Sequence, residues 1–347
     1  MLIDKPPHRR SFGVIIVTSE YDWLFAKGAI ASCRYFNSEI PIQLIVDGNI
    51  DTTEAVQNYD IQVTRVCDVP EPELRLHSKG WGKTKMLSFW HSQTDNFLYL
   101  DSDAVFWGDV TNSIDLSDLD FLTSVSPGRQ PSRTEIETWF FDTKFVEEHF
   151  PDWDWHAYSN RFFCTGTFAA RKGIFRLQDY LEILALDEKR PGYFQFGEMG
   201  FLNLMIFRGS DQGKLRVESS GFQVIFPDTD PQELQQRFAF DEQAKPMVRV
   251  GDERILHMPG RKPLVDCLDC YSRPMTFFRS QYLRDTTMLA EDAILERLRS
   301  EDQDYHRLRS SFLRRDRNRK LRKLLVGHPG AWAQAFRRIT RSLRGRD

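Results

Sequence analysis

The first hundred residues alternate between two hydrophobic periods, and that alternation restricts the fold more than any other feature of the chain. Residues 12–18 are apolar and β-branched and read as a strand, while 23–36 carries a helical pattern. Residues 42–46 form a second strand that turns out at Asp47-Gly48, 52–58 looks helical, and 61–66 is a third strand. Strand, helix, strand, helix, strand is the pattern of crossover units. It predicts an α/β fold with a mostly parallel central sheet flanked by helices. A fourth apolar run, 97–100, ends abruptly in Asp101-Ser102-Asp103. Sheets of this kind bind ligands beyond the carboxyl ends of their strands, where the sequence places 19–21, Asp47 and the Asp101/Asp103 pair.

In an extended strand alternate residues share a face, so Asp101 and Asp103 converge if the chain stays extended through Ser102. Two carboxylates side by side repel unless a cation joins them. A hard divalent ion such as Mg²⁺ or Mn²⁺ accepts their oxygens and leaves positions for water or a substrate phosphate. For Asp-Ser-Asp taken alone, the competing reading is a solvated turn. No GxGxxG follows the first strand and no GxxxxGK[ST] occurs anywhere, so neither a dinucleotide fingerprint nor a P-loop is offered.

A chain of 347 residues that is 41% hydrophobic can bury a large core. It reads as one enlarged domain, 1–270, followed by a basic helical extension, 271–347. The first ten residues carry Asp4, Lys5, Arg9 and Arg10 with no long apolar segment after them, which reads as a cytoplasmic chain without signal or membrane span. Cys33, Cys67, Cys164, Cys267 and Cys270 are scattered and read as reduced thiols; the single CxxC at 267–270 has no second pair. Net charge of -3 says little about partners, but positive charge gathers near the C-terminus. After a Gly-His-Pro-Gly break, Trp332, Phe336, Ile339 and Leu343 recur at helical spacing with Arg337, Arg338, Arg341 and Arg344 on the other side. A basic amphipathic helix at 330–347 suits an anionic membrane surface, peripherally on the inner face; a helix docked on the domain, or a tail, is the alternative. Nothing else in the chain reads bases, so no nucleic acid is expected.

Several spaced segments carry a resemblance. Phe25-Ala26-Lys27-Gly28-Ala29, then Thr84-Lys85-Met86 with Trp90, then Leu98-Tyr99-Leu100-Asp101-Ser102-Asp103 resemble, in order, the donor half of glycosyltransferase family eight, the glycogenin-like transferases. Phe163-Cys164-Thr165-Gly166-Thr167 is similar to that family's Phe-Asn-Ser-Gly strand, and Glu198-Met199-Gly200-Phe201-Leu202-Asn203 to its Asp-Gln-Gly-x-Leu-Asn helix. His257-Met258-Pro259-Gly260-Arg261-Lys262-Pro263 resembles the closing His-x-x-Gly-x-x-Lys-Pro motif, one residue shorter. The likeness spans residues 12–265.

The resemblance implies a GT-A type fold, a nucleotide-diphosphate sugar donor with UDP favoured, manganese or magnesium, and transfer with retention. By position it implies Asp101, Asp103 and His257 as metal ligands and Lys85 and Glu198 as catalytic residues. Donor contacts would come from Thr18, Ser19, Tyr21, Lys27, Ser102, Thr165, Gly166, Gly260 and Lys262. The chemistry agrees with these residue types. A departing diphosphate needs fixed positive charge, and imidazole in the ligand set suits Mn²⁺ better than Mg²⁺. Lys262 and Lys85 add point charges.

Met199 and Cys164 depart from the family's Gln and Asn, and a thioether cannot donate the amide's hydrogen bond. They leave open a second reading, a non-catalytic nucleotide-sugar or glycan-binding protein with a degenerate site. A phosphatase of the haloacid-dehalogenase kind also matches DxDx[TV], but its motif belongs on the first core strand and here three strands precede it. Glycogenin itself is excluded, because 221–228 holds no tyrosine to glycosylate. The acceptor, a glycan or a lipid-linked sugar, would meet the inserted segment 127–162. There 134–149 reads as one helix, and Trp153, Trp155 and Tyr158 either stack on sugar rings or cap a core.

Overall fold

Among the described residues ten strands form two sheets. The structure is a computed structural model that describes residues 11–80, 82–125, 130–189, 192–195, 197–226, 229–265 and 270–327, with side chains to residue 311. The large sheet contains β1 (Phe12–Ser19), β2 (Ile42–Asp47), β3 (Ile61–Arg65), β4 (Asn96–Asp101), β6 (Phe121–Ser124), β7 (Thr167–Arg171) and β8 (Val217–Ser220). Its order is β3-β2-β1-β4-β7-β6-β8, and β7 alone runs against its neighbours. The small sheet joins β5 (Ala104–Trp107), β9 (Gln223–Ile225) and β10 (Arg254–His257), with β10 in the middle.

The α/β architecture expected from the alternating periods is present, with the first helix at Trp23–Phe36. Register levels the carboxyl ends: Ser19 lies opposite Asp47, and Val17 opposite Asp101. The chain does not stay extended through Ser102. It turns there, because β5 must leave the large sheet to pair antiparallel with β10, Ala104 opposite His257. That turn, rather than strand alternation, presents Asp103.

The core beneath the sheet is largely aromatic. Phe89 stacks on Phe168 at 5.6 Å and Tyr99 on Phe168 at 4.7 Å, each such pair contributing about 0.5–1.5 kcal/mol beyond the area it buries. The inserted segment departs from expectation twice. Its helix is broken into Arg133–Trp139, opened by a Ser132/Glu135 capping box, and Thr143–His149, whose cap Asp142 accepts from Phe145 N at 3.0 Å. Trp153 and Trp155 are buried against Phe141, and the Tyr158 hydroxyl donates to Asp211 at 2.8 Å. Of the two roles open to these rings, the two tryptophans take the core, drawn inward by hydrophobic burial.

The chain divides into two compact units, Met1–Arg299 and Ser300–Asp347. The first unit holds both sheets and helix Arg273–Thr286, which packs along Trp23–Phe36. Gly28 permits that approach, since a Cβ there would lie 2.5 Å from Met275 Sδ. In the second unit the described residues are helical up to Gly327. No helix among the described residues is long and apolar enough to cross a membrane. The expected amphipathic segment 330–347 and Cys267 lie outside the described residues, while Cys33, Cys67, Cys164 and Cys270 are free thiols.

Candidate metal and donor site

Three distant segments meet where β4 ends. The Asp101 amide donates to the Gly166 carbonyl at 2.8 Å, and the Met258 amide donates to the Asp103 carbonyl at 3.0 Å. Backbone bonds thus tie 163–167 and the end of β10 to the acidic turn. Gly166 is required by the contact it makes: a Cβ would lie 2.1 Å from His257 Cε1. With no side chain at 166, the imidazole lies against the backbone and faces both acids.

Asp101, Asp103 and His257 offer donor atoms that all lie within 4.8 Å of one another. His257 Nε2 is 3.4 Å from Asp103 Oδ1 and 3.7 Å from Asp101 Oδ2. Neighbouring ligands of an octahedral ion with bonds near 2.1 Å stand about 3 Å apart, so two carboxylate oxygens and an imidazole at these spacings fit a small divalent cation.

Two lysines flank the set. Lys262 Nζ is paired with Asp103 Oδ2. Lys85, on the 3₁₀ turn Lys83–Leu87, reaches Asp101 Oδ1 at 3.1 Å, Glu198 Oε1 at 2.5 Å and the Thr165 carbonyl at 2.9 Å. Burial pulls the Lys85 ammonium down, but the Asp101 and Glu198 carboxylates outweigh it and hold the group above the ordinary lysine value. For Asp103 burial pushes up, while Lys262 and His257 hold the carboxyl well below the usual range. His257 is pulled down by burial and raised by the Cys164 sulfur, 3.8 Å from Nδ1, and by Asp103, to about 10. Acids and cations alternate through the site, which offsets the desolvation each would suffer alone.

Glu198 stands at the N-cap position of helix Met199–Asp211, its side chain turned to Lys85 and Thr165 rather than to the helix amides, and is buried. Its Oε1 also accepts from Thr165 Oγ1 at 2.6 Å. Asn203, one turn into that helix, grips the Phe163 backbone from both sides, accepting from its amide and donating to its carbonyl at 3.1 Å each. The Glu-Met-Gly-Phe-Leu-Asn segment therefore positions the Cys164–Gly166 stretch. Met199 is buried in the main core, and a Cβ at Gly200 would lie 1.8 Å from the Phe140 carbonyl oxygen.

Thr18 and Ser19 stand at the end of β1, and Tyr21 follows in the turn before the first helix. Ser102 is buried in the acidic turn. The Lys27 ammonium lies over the Trp23 and Tyr282 rings, at 5.9 and 5.6 Å. Gly260 has φ +77 with open space about it. The Tyr271 hydroxyl ties that loop by donating to the Arg261 and Pro259 carbonyls.

Three residues of this region carry no role that sequence pattern assigns. Burial pushes the Asp22 carboxyl up against the pull of Lys262, and Asp103 and Asp101 push the same way, so its charge is coupled to the site. Its signal is Ser-x-x-Asp before a helix; Ser19 Oγ donates to it at 3.3 Å. Tyr99 donates to Asp101 Oδ1, a contact that strand alternation allows. Gly82, at φ +77, packs against Glu198 and has no local signal beyond being glycine.

No protein-family model matches the sequence, and no curated protein matches it. Among solved structures the galactosyltransferase LgtC, in complex with donor and acceptor sugar analogs, aligns with a TM-score of 0.50 at 15% identity, covering 81% of this chain and 98% of that one. The chain has the GT-A fold. Glycosyltransferase GlyE of Streptococcus pneumoniae TIGR4 aligns at a TM-score of 0.47 and 16% identity over 85% of this chain and 64% of that chain. Mouse xyloside xylosyltransferase 1 aligns at 0.45 and 13% over 73% and 99%. In this chain the Asp101-Ser102-Asp103 turn is a DxD-like motif at the carboxyl edge of the sheet, with His257 beside it.

Proposed function

We propose that the chain is a metal-dependent glycosyltransferase of the family-eight kind, moving a sugar from a nucleotide-diphosphate sugar, UDP favoured, to a glycan or lipid-linked acceptor with retention. The observation that carries this reading is the Asp101/Asp103/His257 donor set flanked by Lys85 and Lys262 at the edge of a GT-A sheet. A Mn²⁺ or Mg²⁺ ion held by those three residues would supply Lewis-acid charge for the departing diphosphate.

The chain's own groups account for the remainder. Lys262, on the loop tied by Tyr271, offers an ammonium where negative charge develops. Gly260 lets the backbone of that loop approach phosphate. Lys85 is fixed in charge and direction by Asp101 and Glu198 and acts on the donor's sugar or phosphate side. Glu198 has one oxygen occupied by Lys85 and Thr165 and the other packed against Gly82, which suits an orienting carboxylate better than a nucleophile. In a front-face displacement the bond from the anomeric carbon to phosphate oxygen breaks, the bond to the acceptor oxygen forms, and the acceptor's proton passes to the leaving phosphate. That route requires no dedicated base. Segment 127–162 serves the acceptor, and the basic segment 330–347 brings the enzyme to an anionic membrane surface.

The competing reading, binding without transfer, is favoured by the burial of Met199 where the resemblance calls for an amide facing the sugar. Purified protein with Mn²⁺ and a panel of UDP- and GDP-sugars separates the two. Slow hydrolysis of one UDP-sugar, or transfer to an acceptor extract, is expected; binding with neither hydrolysis nor transfer would leave only the binding protein.

A further inference from the structure

Each acid of the donor set has one oxygen turned to His257 and the other already capped. Asp103 presents Oδ1 to the imidazole, while its Oδ2 takes Lys262. Asp101 presents Oδ2, 3.7 Å from His257 Nε2, while its Oδ1 receives the Tyr99 hydroxyl; the Lys85 ammonium reaches both oxygens, 3.1 Å from Oδ1 and 3.4 Å from Oδ2, so Tyr99 is the partner that holds Oδ1 alone. The two caps differ in kind. Lys262 is a long side chain that is 21% exposed, whereas Tyr99 is 1% exposed and held from several directions. Its ring is stacked on Phe168 within 15° of parallel, its carbonyl accepts from Thr167 Oγ1 at 2.7 Å, and the Lys85 ammonium lies 5.1 Å from its ring centre.

We propose that Tyr99 is a positioning residue that sets the metal preference of this site, by confining Asp101 to a single coordinating oxygen. The inference rests on the proposed metal role of Asp101, Asp103 and His257. Ca²⁺ takes six to eight oxygens and commonly uses carboxylates through both; Mg²⁺ and Mn²⁺ take six ligands in a compact octahedron. A carboxylate with one oxygen held by a rigid hydroxyl can serve the second kind of ion and not the geometry the first prefers. Outer-shell partners of metal ligands commonly change affinity by about 10–100-fold when removed.

The test is Tyr99→Phe, which keeps the ring and its stacking and removes only the hydroxyl. Mn²⁺ binding is read by electron paramagnetic resonance and Ca²⁺ by competition against it, with no turnover involved. The expected result is a fall of about tenfold or more in the preference for Mn²⁺ over Ca²⁺. Equal weakening of both ions, or an unchanged ratio, overturns the proposal, because a merely structural role would loosen the site without discriminating. If the variant does not fold, infrared spectra of wild-type protein labelled at aspartate carboxyl carbons decide it. Loading with Mn²⁺ should give the wide carboxylate splitting of one-oxygen binding, and two-oxygen bands alone overturn the idea. Failure of wild type to bind Mn²⁺ at all sinks the metal assignment itself and this inference with it.

Discussion

A side chain on residue 82 and the carboxylate of Glu198 would claim the same space: a Cβ on Gly82 would lie 1.5 Å from Glu198 Oε2, and the backbone there is at φ +77. The contact closes the far side of the Lys85–Glu198 pair, so the loop before the Lys83–Leu87 turn and the cap of helix Met199–Asp211 form one unit.

Gly82→Ala is therefore expected to cost about 1–3 kcal/mol from the left-handed backbone alone, and more as Glu198 is displaced. Donor hydrolysis should fall at least about tenfold while Mn²⁺ affinity is spared, since the metal ligands lie on other segments. Denaturant unfolding, hydrolysis and metal binding measured side by side check this; wild-type hydrolysis in the variant contradicts it.

Lys85→Met leaves Asp101 and Glu198 without their shared cation, and breaking a buried pair in this way typically costs about 3–5 kcal/mol. Lys85 has a folded pKa above its unfolded value, so its contribution is complete below the unfolded value of about 10.4 and is lost as pH rises through the folded one. The stability gap between wild type and variant should persist through neutral pH and narrow in strong alkali. A gap that closes near pH 7 in urea titrations contradicts the assignment.

Gly166→Ala should act as a metal-site variant although residue 166 offers no ligand. Its Cβ pushes the His257 ring aside, so Mn²⁺ binding should weaken as much as in His257→Ala, and the double variant should be no weaker than either single one. Asp103→Ala should abolish metal-dependent binding of UDP. Calorimetry reads all four proteins; additive losses from Gly166 and His257 would show that the two act separately.

Deleting residues 330–347 should weaken sedimentation with anionic liposomes and leave donor hydrolysis intact, because the donor set and its flanking lysines end at Lys262. Loss of binding should be largest at low salt, where a basic face is least screened. Equal sedimentation of both forms removes the membrane role.

The first four strands, the Trp23–Phe36 helix and the acidic pair were legible in the sequence, because period and burial are local properties that each stretch writes into its own residues. So were the types of residue a diphosphate site needs. Local pattern misled where one run of residues supports two outcomes: 134–149 keeps helical spacing across the break at Phe140–Asp142, and Trp153 and Trp155 are as fit for a core as for a cleft. Only the tertiary structure decided that the chain turns at Ser102, that Tyr99 and Lys85 share one oxygen of Asp101, and that residues 82, 166 and 203 hold Glu198, His257 and Phe163 in place. The physical reason is sequence separation. Those contacts exist because β10 pairs with β5 and 163–167 bonds back to β4, and no residue's own neighbours in the chain record which distant backbone will come to lie against it.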